Sequence, residues 1–589
     1  MLDLMTTQKA QDWLSEARGH VLGVDTETNG KDVRNGQGYL IGLSLSYQSA
    51  TGYRRAYFPF RHLDTENNLP KALLSLIDEV LHSAPMLVFH NAKFDLVSLI
   101  TAGIDCFGTD WYCTMVISHL IDENWPRAKS LNEVAKTYLG PGFEKRNTPE
   151  MDAIIEAFGW EYVPVAFMHE YGSWDAELAL RIMGALYERF VSEGLLDYWP
   201  YKRKLIETVA LLMESRGVGI NTVLCEDMLE RAEKEMAQAS AALGGFNPRS
   251  SKDMEELLIN QLHLPPQYHP KTGNLTFDKN AMAVYEPLLE RMNSPVANHI
   301  LTYRGWGHAA SNFYRAYLMH LSPDGKIRPS YMHHKDEDEG GTVTGRLSCK
   351  DPNLQQIPRV SQKAWNGQVK KAFQPSPGYK LWEVDFSQLE LRLASCYANE
   401  RTLKEIFIEG RDVFSEMAES LGMARHDTKT LVYTLQYGGG IKRLMDVFGV
   451  TETGARNIKE NYFTTYPNFR TLFDLADAKV KSRGYIRIWS GRRRHFRHPA
   501  SESFKALNSL IQGGAADLME RRMIALGERL DDNVNFRMLL QVHDSIIGEV
   551  KIGEEQEILP EWQRIMSAVS EDNPAFNTKF AVEAKPFGE

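Results

Sequence analysis

Apolar residues along this chain fall into two kinds of pattern. Short apolar runs, the mark of buried strands, occur at Val21–Val24, Tyr39–Tyr47 and Met86–Phe89. The first ends in Asp25-Thr26-Glu27-Thr28, and the third is followed by His90-Asn91-Ala92-Lys93-Phe94-Asp95. Tyr171-Gly172-Ser173-Trp174-Asp175 opens a helical pattern that runs from Ala176 to Tyr187. Amphipathic spacing predicts further helices over Lys202–Arg216 and Glu226–Leu243, with breaks at Gly245-Phe246-Asn247-Pro248 and Pro265-Pro266. Two later apolar runs end at carboxylates: Leu381–Val384 stops at Asp385, and Leu539-Leu540-Gln541-Val542 leads into His543-Asp544. The pattern predicts a multidomain chain of α/β and α+β parts, with no internal repeat and no low-complexity linker.

Composition narrows the class. A chain of 589 residues is long for one domain, and 43% hydrophobic with 24% charged residues is ordinary for globular proteins. No apolar run approaches the ~18 residues that a membrane span needs. The first twenty residues include Asp3 and Glu16 and show neither a secretory signal nor an Arg-rich transit peptide, so a cytoplasmic location is expected. Cys106, Cys113, Cys225, Cys349 and Cys396 form no CxxC pair and read as free thiols in a reducing compartment. The net charge of −10 argues against a nucleic-acid partner until its distribution is considered. Between Arg425 and Arg497 fifteen Lys/Arg face six Asp/Glu, most densely at Arg492-Arg493-Arg494 and Arg497. That stretch is either a solvated face or a surface for backbone phosphates, whose binding would depend steeply on salt. The acidic run Asp336-Glu337-Asp338-Glu339 reads as a solvated loop.

The carboxylates carry the candidate chemistry. If the two strand ends bring Asp385 and Asp544 together, they can hold a pair of Mg²⁺ ions roughly 3.5–4 Å apart, the arrangement for in-line phosphoryl transfer. Arg425, Lys429, Tyr433 and Tyr437 are spaced by four. Each such step turns a helix by about 400°, so the four side chains form one stripe. Gly438-Gly439-Gly440 then stops the helix. The stripe is either an amphipathic edge or a triphosphate cradle continued by a stacking platform for base and sugar. In the amino-terminal third, Asp25, Glu27, Asp95 and Asp175 are four carboxylates suited to two metal ions. Tyr171, four residues before Asp175, shares its helix face. A metal-bound water there would attack a terminal phosphodiester.

These motifs carry a resemblance. Asp385-Phe386-Ser387-Gln388-Leu389-Glu390-Leu391-Arg392, the Arg425–Gly438 stripe and Gln541-Val542-His543-Asp544 resemble motifs A, B and C of the family A DNA polymerases, the group of bacterial DNA polymerase I. Thr344-Gly345-Arg346-Leu347-Ser348 with Pro352-Asn353-Leu354-Gln355 is similar to that family's primer–template segment. Asn508-x3-Gln512-Gly513 with Ala515-Ala516-Asp517 is similar to another palm motif. The ordered trio DxE, Nx3D, Yx3D resembles the family's 3′–5′ proofreading exonuclease, which is ribonuclease H-like. The resemblance implies an exonuclease domain at 1–190 and a right-hand polymerase. Its thumb would be 191–330, its palm 331–400 and 501–589, and its fingers 401–500. The 5′-nuclease domain of many relatives is expected to be absent, since nothing of its size fits before Asp25.

What the resemblance implies is a template-directed DNA polymerase for replication or repair, in a bacterial cell or a phage-infected host. It would use two Mg²⁺ per active site, with Mn²⁺ as a substitute. Its partners would be primer–template DNA, dNTPs and a single-stranded 3′ end, with replication accessory proteins as further candidates. Asp385 and Asp544 would hold the polymerase metals, and Arg425 and Lys429 the β/γ-phosphates, with Lys429 as proton donor to pyrophosphate. Glu390 would exclude a 2′-hydroxyl, and Tyr433 would sit in the sugar pocket. Tyr437 and Gly438 would line the templating site. Arg346 and Gln512 would touch minor-groove acceptors, and Asn508 and His543 would complete the DNA contacts. Two positions depart from the family: Ser545 stands where a Glu is usual, and Asp412-Val413-Phe414 replaces Asp-Ile-His. The competing readings are a stand-alone 3′–5′ exonuclease with an inactive second half, a single-subunit RNA polymerase and a catalytically dead DNA-binding protein.

Overall fold

The computed structural model describes residues 5–30, 32–63, 67–145, 147–269, 272–337, 340–358, 364–365 and 367–588. Asp338 and Glu339 of the acidic run lie outside the described residues. The chain forms two compact units. The first comprises Met1–Arg216, Ser330–Cys349 and Trp382–Lys585; the second comprises Gly217–Pro329, Lys350–Leu381 and Pro586–Glu589.

The first unit begins with a five-stranded sheet of β1 (Leu22–Thr28), β2 (Leu40–Ser49), β3 (Gly52–Pro59), β4 (Leu87–Phe89) and β5 (Trp111–Cys113), in the order β3-β2-β1-β4-β5. β1 runs antiparallel to β2 and parallel to β4. The strand is longer than the apolar run predicts: Asp25 and Glu27 lie inside it and not beyond its end. Residues two apart share a strand face, so the pair is presented together. β1 meets β4 only at Leu22 and Gly23. Past that point its edge is free to bond elsewhere, and the Thr26 amide and hydroxyl both donate to Asp95 Oδ1, at 3.0 and 2.7 Å.

A single helix, Val165–Ser192, carries both Tyr171 and Asp175 across this sheet. Two glycines allow the approach. A Cβ at Gly23 would lie 2.1 Å from the Ala176 carbonyl oxygen, and one at Gly172 would lie 2.7 Å from Ser44 Oγ. Only the absence of a side chain lets helix and strand close to this distance.

The rest of the first unit is built on a four-stranded sheet. Its order is Phe536–Val542, Ser545–Lys551, Tyr379–Phe386 and Val582–Pro586. The helices Leu389–Tyr397 and Ala506–Arg529 accompany it. Six helices between Arg401 and Arg483 enclose a separate core that includes Leu403, Phe414, Leu431, Leu444, Tyr462 and Phe469. The second unit is mainly helical. Its Thr222–Ala242 helix is followed by a core of Leu257, Leu258, Phe277, Met282, Tyr285 and Leu289. No helix among the described residues is long and apolar enough to cross a membrane, and all five cysteines are free.

In the densest basic run Arg492, Arg493 and Arg494 are largely turned inward, and Arg497 stays exposed. Arg493–His495 pairs antiparallel with Tyr485–Arg487, and the arginines turn inward onto carboxylates. Arg492 Nε lies 2.8 Å from Asp517 Oδ1, Arg493 Nη1 3.4 Å from Glu193 Oε2, and Arg494 Nη1 2.6 Å from Glu123 Oε1. The Arg497 guanidinium donates to the Asn124 carbonyl. Buried guanidinium groups need such partners, so this run ties the hairpin to Glu123 and Glu193 of the amino-terminal third and to Asp517.

Candidate active sites

The first candidate site gathers Asp25 and Glu27 from β1, Asp95 from the helix Ala92–Thr101, and Tyr171 and Asp175 from the helix Val165–Ser192. Glu27, Asp95 and Asp175 are buried, at 8%, 3% and 2% exposure. Burial raises the Asp25 carboxyl well above its ordinary value, and the charges of Glu27, Asp175 and Asp95 add to the effect. Burial likewise pushes Glu27 up to about 8 against the opposing charge of Lys145, and Asp95 to about 7 against the Thr26 donors. Asp175 is raised by burial, with Lys145 again opposing. Burial and mutual repulsion both oppose the charged forms of these carboxyls, and cations would relieve both. Asp175 Oδ1 is buried with no hydrogen-bond partner. Hard oxygen donors in this number, one of them orphaned, fit divalent cations such as Mg²⁺.

One residue of this site carries no signal in the sequence. Lys145 lies in the segment after the helix Leu131–Leu139, and its Nζ stands 2.5 Å from Asp175 Oδ2 and 3.0 Å from the Tyr171 hydroxyl. Burial acts to discharge this ammonium, but Asp175, Tyr171 and Asp25 outweigh it and raise the amine well above its ordinary value. A lysine a few residues past Gly140-Pro141-Gly142 gives no periodicity to read.

The second candidate site is built on the four-stranded sheet. Asp385 lies inside the strand Tyr379–Phe386. His543 and Asp544 form the tight turn between Phe536–Val542 and Ser545–Lys551, with His543 at φ 54°. The Phe386 amide donates to the Asp544 carbonyl at 3.1 Å, which brings the strand that carries Asp385 against the turn that carries Asp544. Ser545, the first departure, is buried, and its hydroxyl donates to the Val542 carbonyl at 2.9 Å. It closes the turn and adds no carboxylate to the pair.

Glu390 joins the remaining motifs. One of its oxygens accepts from the Arg346 guanidinium and the other from the Tyr437 hydroxyl at 3.0 Å. Arg346 Nη2 lies 3.9 Å from Asp544 Oδ1. Burial raises the Glu390 carboxyl, Arg346 opposes this and Asp544 adds to it. The helix Arg425–Gln436 presents the stripe, with Tyr437 as the cap at its C-terminal end and Gly438 at φ 78°. A Cβ at Gly438 would lie 2.6 Å from the Phe504 carbonyl oxygen. The Tyr433 and Tyr437 rings stack at 6.0 Å, and Tyr433 also meets Phe414 at 5.9 Å. Phe414, the second departure, is buried and places its ring 5.8 Å from Lys429 Nζ. Arg425 is held by Asp412, Nε to Oδ2 at 2.6 Å. On the helix Ala506–Arg529, Asn508 and Gln512 are half-buried and one turn apart, and Asn508 Oδ1 has no partner.

A chain of polar contacts links the two centres. Lys93, two residues before Asp95, donates to buried Glu214 at 2.6 Å, and the same carboxylate oxygen accepts the Tyr331 amide at 2.5 Å. The Tyr331 hydroxyl then accepts from the Gln541 amide at 3.0 Å, on the strand that leads into the turn holding Asp544.

Comparisons with known proteins agree with this organisation. Residues 221–585 match the model of DNA polymerase family A, and residues 4–190 match a 3′–5′ exonuclease model. The chain is 26% identical to DNA polymerase I of Rhizobium leguminosarum over 95% of its own length and 57% of that protein's. It is 28% identical to DNA polymerase I of Chloroflexus aurantiacus over 90% of its length and 58% of that protein's. The chain thus spans less than two thirds of these relatives. In fold it is similar to the POL domain of Pol1 from M. smegmatis, solved in complex with DNA primer-template and dNTP, with a TM-score of 0.81, 23% identity and 99% coverage of both chains. With the family model spanning most of the chain and the motif residues gathered at two centres, the chain belongs to DNA polymerase family A and carries a 3′–5′ exonuclease segment ahead of the polymerase segment.

Proposed function

We propose that this chain extends a DNA primer on a template with dNTPs and removes mispaired 3′ ends with its amino-terminal exonuclease. The observation that carries the reading is the position of Glu390, which Tyr437 and Arg346 both hold while Arg346 reaches Asp544. That contact set gathers motifs A, B and C and the primer–template segment at one place, as nucleotidyl transfer requires. Bound at Asp385 and Asp544, and at Asp25, Glu27, Asp95 and Asp175, two Mg²⁺ per site would supply activation of the attacking oxygen and neutralisation of the leaving group. Mn²⁺ shares the donor preference and would substitute.

The chain's own residues do the rest. Lys429 and Arg425 offer positive charge to the triphosphate. Phe414 adds no donor there, so the two cations carry that work. Glu390, held on both oxygens, cannot swing aside and leaves no room for a 2′-hydroxyl. The stacked rings of Tyr433 and Tyr437 give the sugar and base an apolar wall. Arg346, Gln512 and Asn508 face the duplex, where minor-groove acceptors are largely independent of sequence. The mainly helical second unit is the candidate thumb. A primer-extension assay with dNTPs, with rNTPs and without nucleotide tests the reading. Templated extension with dNTPs alone, and 3′-end degradation without nucleotide, is the expected result. Degradation with no extension would favour the stand-alone exonuclease.

A further inference from the structure

The exonuclease site holds a cation of its own. Four carboxylates converge there, and among the described residues an ammonium group meets them: Lys145 Nζ lies 2.5 Å from Asp175 Oδ2. The Tyr171 hydroxyl accepts from the same nitrogen at 3.0 Å, and the Tyr171 ring lies 4.9 Å from it. The lysine side chain is one-third exposed, so it reaches the cluster from the rim and not from the core. Lysines are mostly solvated, and this one lies beyond the helix Leu131–Leu139. It points instead at the carboxylate whose other oxygen, Oδ1, is buried and unpartnered.

Two consequences follow from charge alone. A divalent cation entering at the unpartnered Oδ1 of Asp175 stands beside the ammonium on Oδ2, and the repulsion between the two charges works to drive the ammonium off that carboxylate. The displaced ammonium, still within reach of the Tyr171 hydroxyl, then needs a new anion. The substrate of this site is a phosphodiester, which supplies one.

We propose that Lys145 is the resident counter-ion of the exonuclease carboxylates before metal binds, and that on displacement from Asp175 it becomes a further catalytic residue, facing the scissile phosphate. The inference rests on the exonuclease reading above. In the reaction, the oxygen of water bonds to phosphorus and the bond from phosphorus to the 3′-oxygen breaks. One proton of the water ends on the leaving 3′-oxygen and the other on the new 5′-monophosphate. Lys145 gives up no proton. It opposes the negative charge that grows on the non-bridging oxygens as the new bond forms. Tyr171 positions it by accepting its hydrogen bond.

This predicts two effects of opposite sign, which a purely structural lysine would not produce. Removing the charge should tighten metal binding, because the competitor is gone, and slow hydrolysis, because the phosphate loses its cation. The test uses the full chain with Asp544→Ala, so that the polymerase metal pair does not contribute. Mn²⁺ binding is followed by the electron paramagnetic resonance signal of the free ion. Hydrolysis of a single-stranded oligonucleotide is followed in single turnover at saturating Mn²⁺. Adding Lys145→Gln should lower the dissociation constant for Mn²⁺ about tenfold, the effect of one neighbouring charge, and lower the hydrolysis rate by about tenfold or more. Lys145→Met keeps the stem without the charge and should behave alike, which guards against a fault of one variant's fold. Unchanged or weaker Mn²⁺ binding in both variants, or unchanged hydrolysis at saturating metal, overturns the proposal. The Asp25→Ala, Glu27→Ala variant stands apart from this outcome: if it binds Mn²⁺ and cuts like the parent, the exonuclease assignment itself fails.

Discussion

Replacing Tyr437 with Phe removes one oxygen and leaves the ring. In the structure that oxygen donates to Glu390 Oε2 at 3.0 Å, and the ring stacks on Tyr433 at 6.0 Å. The variant therefore keeps the stacking surface and frees one of the two anchors of Glu390, leaving Arg346 alone. A hydrogen bond to a charged group contributes about 1.5–3 kcal/mol. If that energy is what holds Glu390 against the sugar, its loss weakens discrimination by roughly tenfold to a hundredfold, at about 1.4 kcal/mol per factor of ten. Incorporation of dNTPs should fall much less, since the base still meets the same ring. The assay is single-turnover incorporation of matched dNTP and rNTP opposite one template base, with the ratio of catalytic efficiencies as readout. Glu390→Ala, which removes the carboxylate itself, should relax the ratio at least as far. An unchanged ratio in both variants would remove Glu390 from the sugar pocket and refute the reasoning.

Other substitutions separate the two centres. Asp385→Ala or Asp544→Ala should abolish primer extension and leave 3′–5′ degradation of a single strand near the parental rate; normal extension by either would dismiss the palm assignment. Asp25→Ala with Glu27→Ala should do the reverse, measured as 3′-end loss without dNTPs and as extension with them. Tyr433→Phe should raise discrimination against dideoxynucleotides by one or more factors of ten, about 1.4 kcal/mol each, read as the ddNTP/dNTP ratio; equal ratios would make Tyr433 a packing residue against Phe414. Glu123→Gln should destabilise the protein by about 3–5 kcal/mol, because it strips the buried partner of Arg494. Burial pushes the Glu123 carboxyl up, but the His495 hydrogen bond and the Arg494 charge outweigh it and hold it below the ordinary value. A depressed folded value stabilises fully above the unfolded value of about 4.3 and is lost as the pH falls through the folded one. Denaturant melts of parent and variant should therefore differ near neutrality and converge in acid; a gap that widens in acid would contradict the sign.

The parts whose information is local could be read from the order of residues. An apolar run ending at a carboxylate marks a strand end, and a spacing of four marks a helix face, so Asp385, Asp544 and the Arg425–Tyr437 stripe were legible before any fold was known. The trio around Asp25, Asp95 and Asp175 was legible for the same reason, even though β1 extends through Glu27 where the apolar run stops. Pairings across long stretches of chain came from the folded arrangement. The arginines at 492–494 form a basic run in sequence, yet each meets a carboxylate from a distant segment, Asp517, Glu193 or Glu123. Arg346 bridges Glu390 and Asp544, and Lys145 enters the carboxylate cluster from a loop. Periodicity records which way a side chain points along its own element. It holds nothing about which distant charge will stand opposite, and that is fixed only when the sheets and helices close on one another.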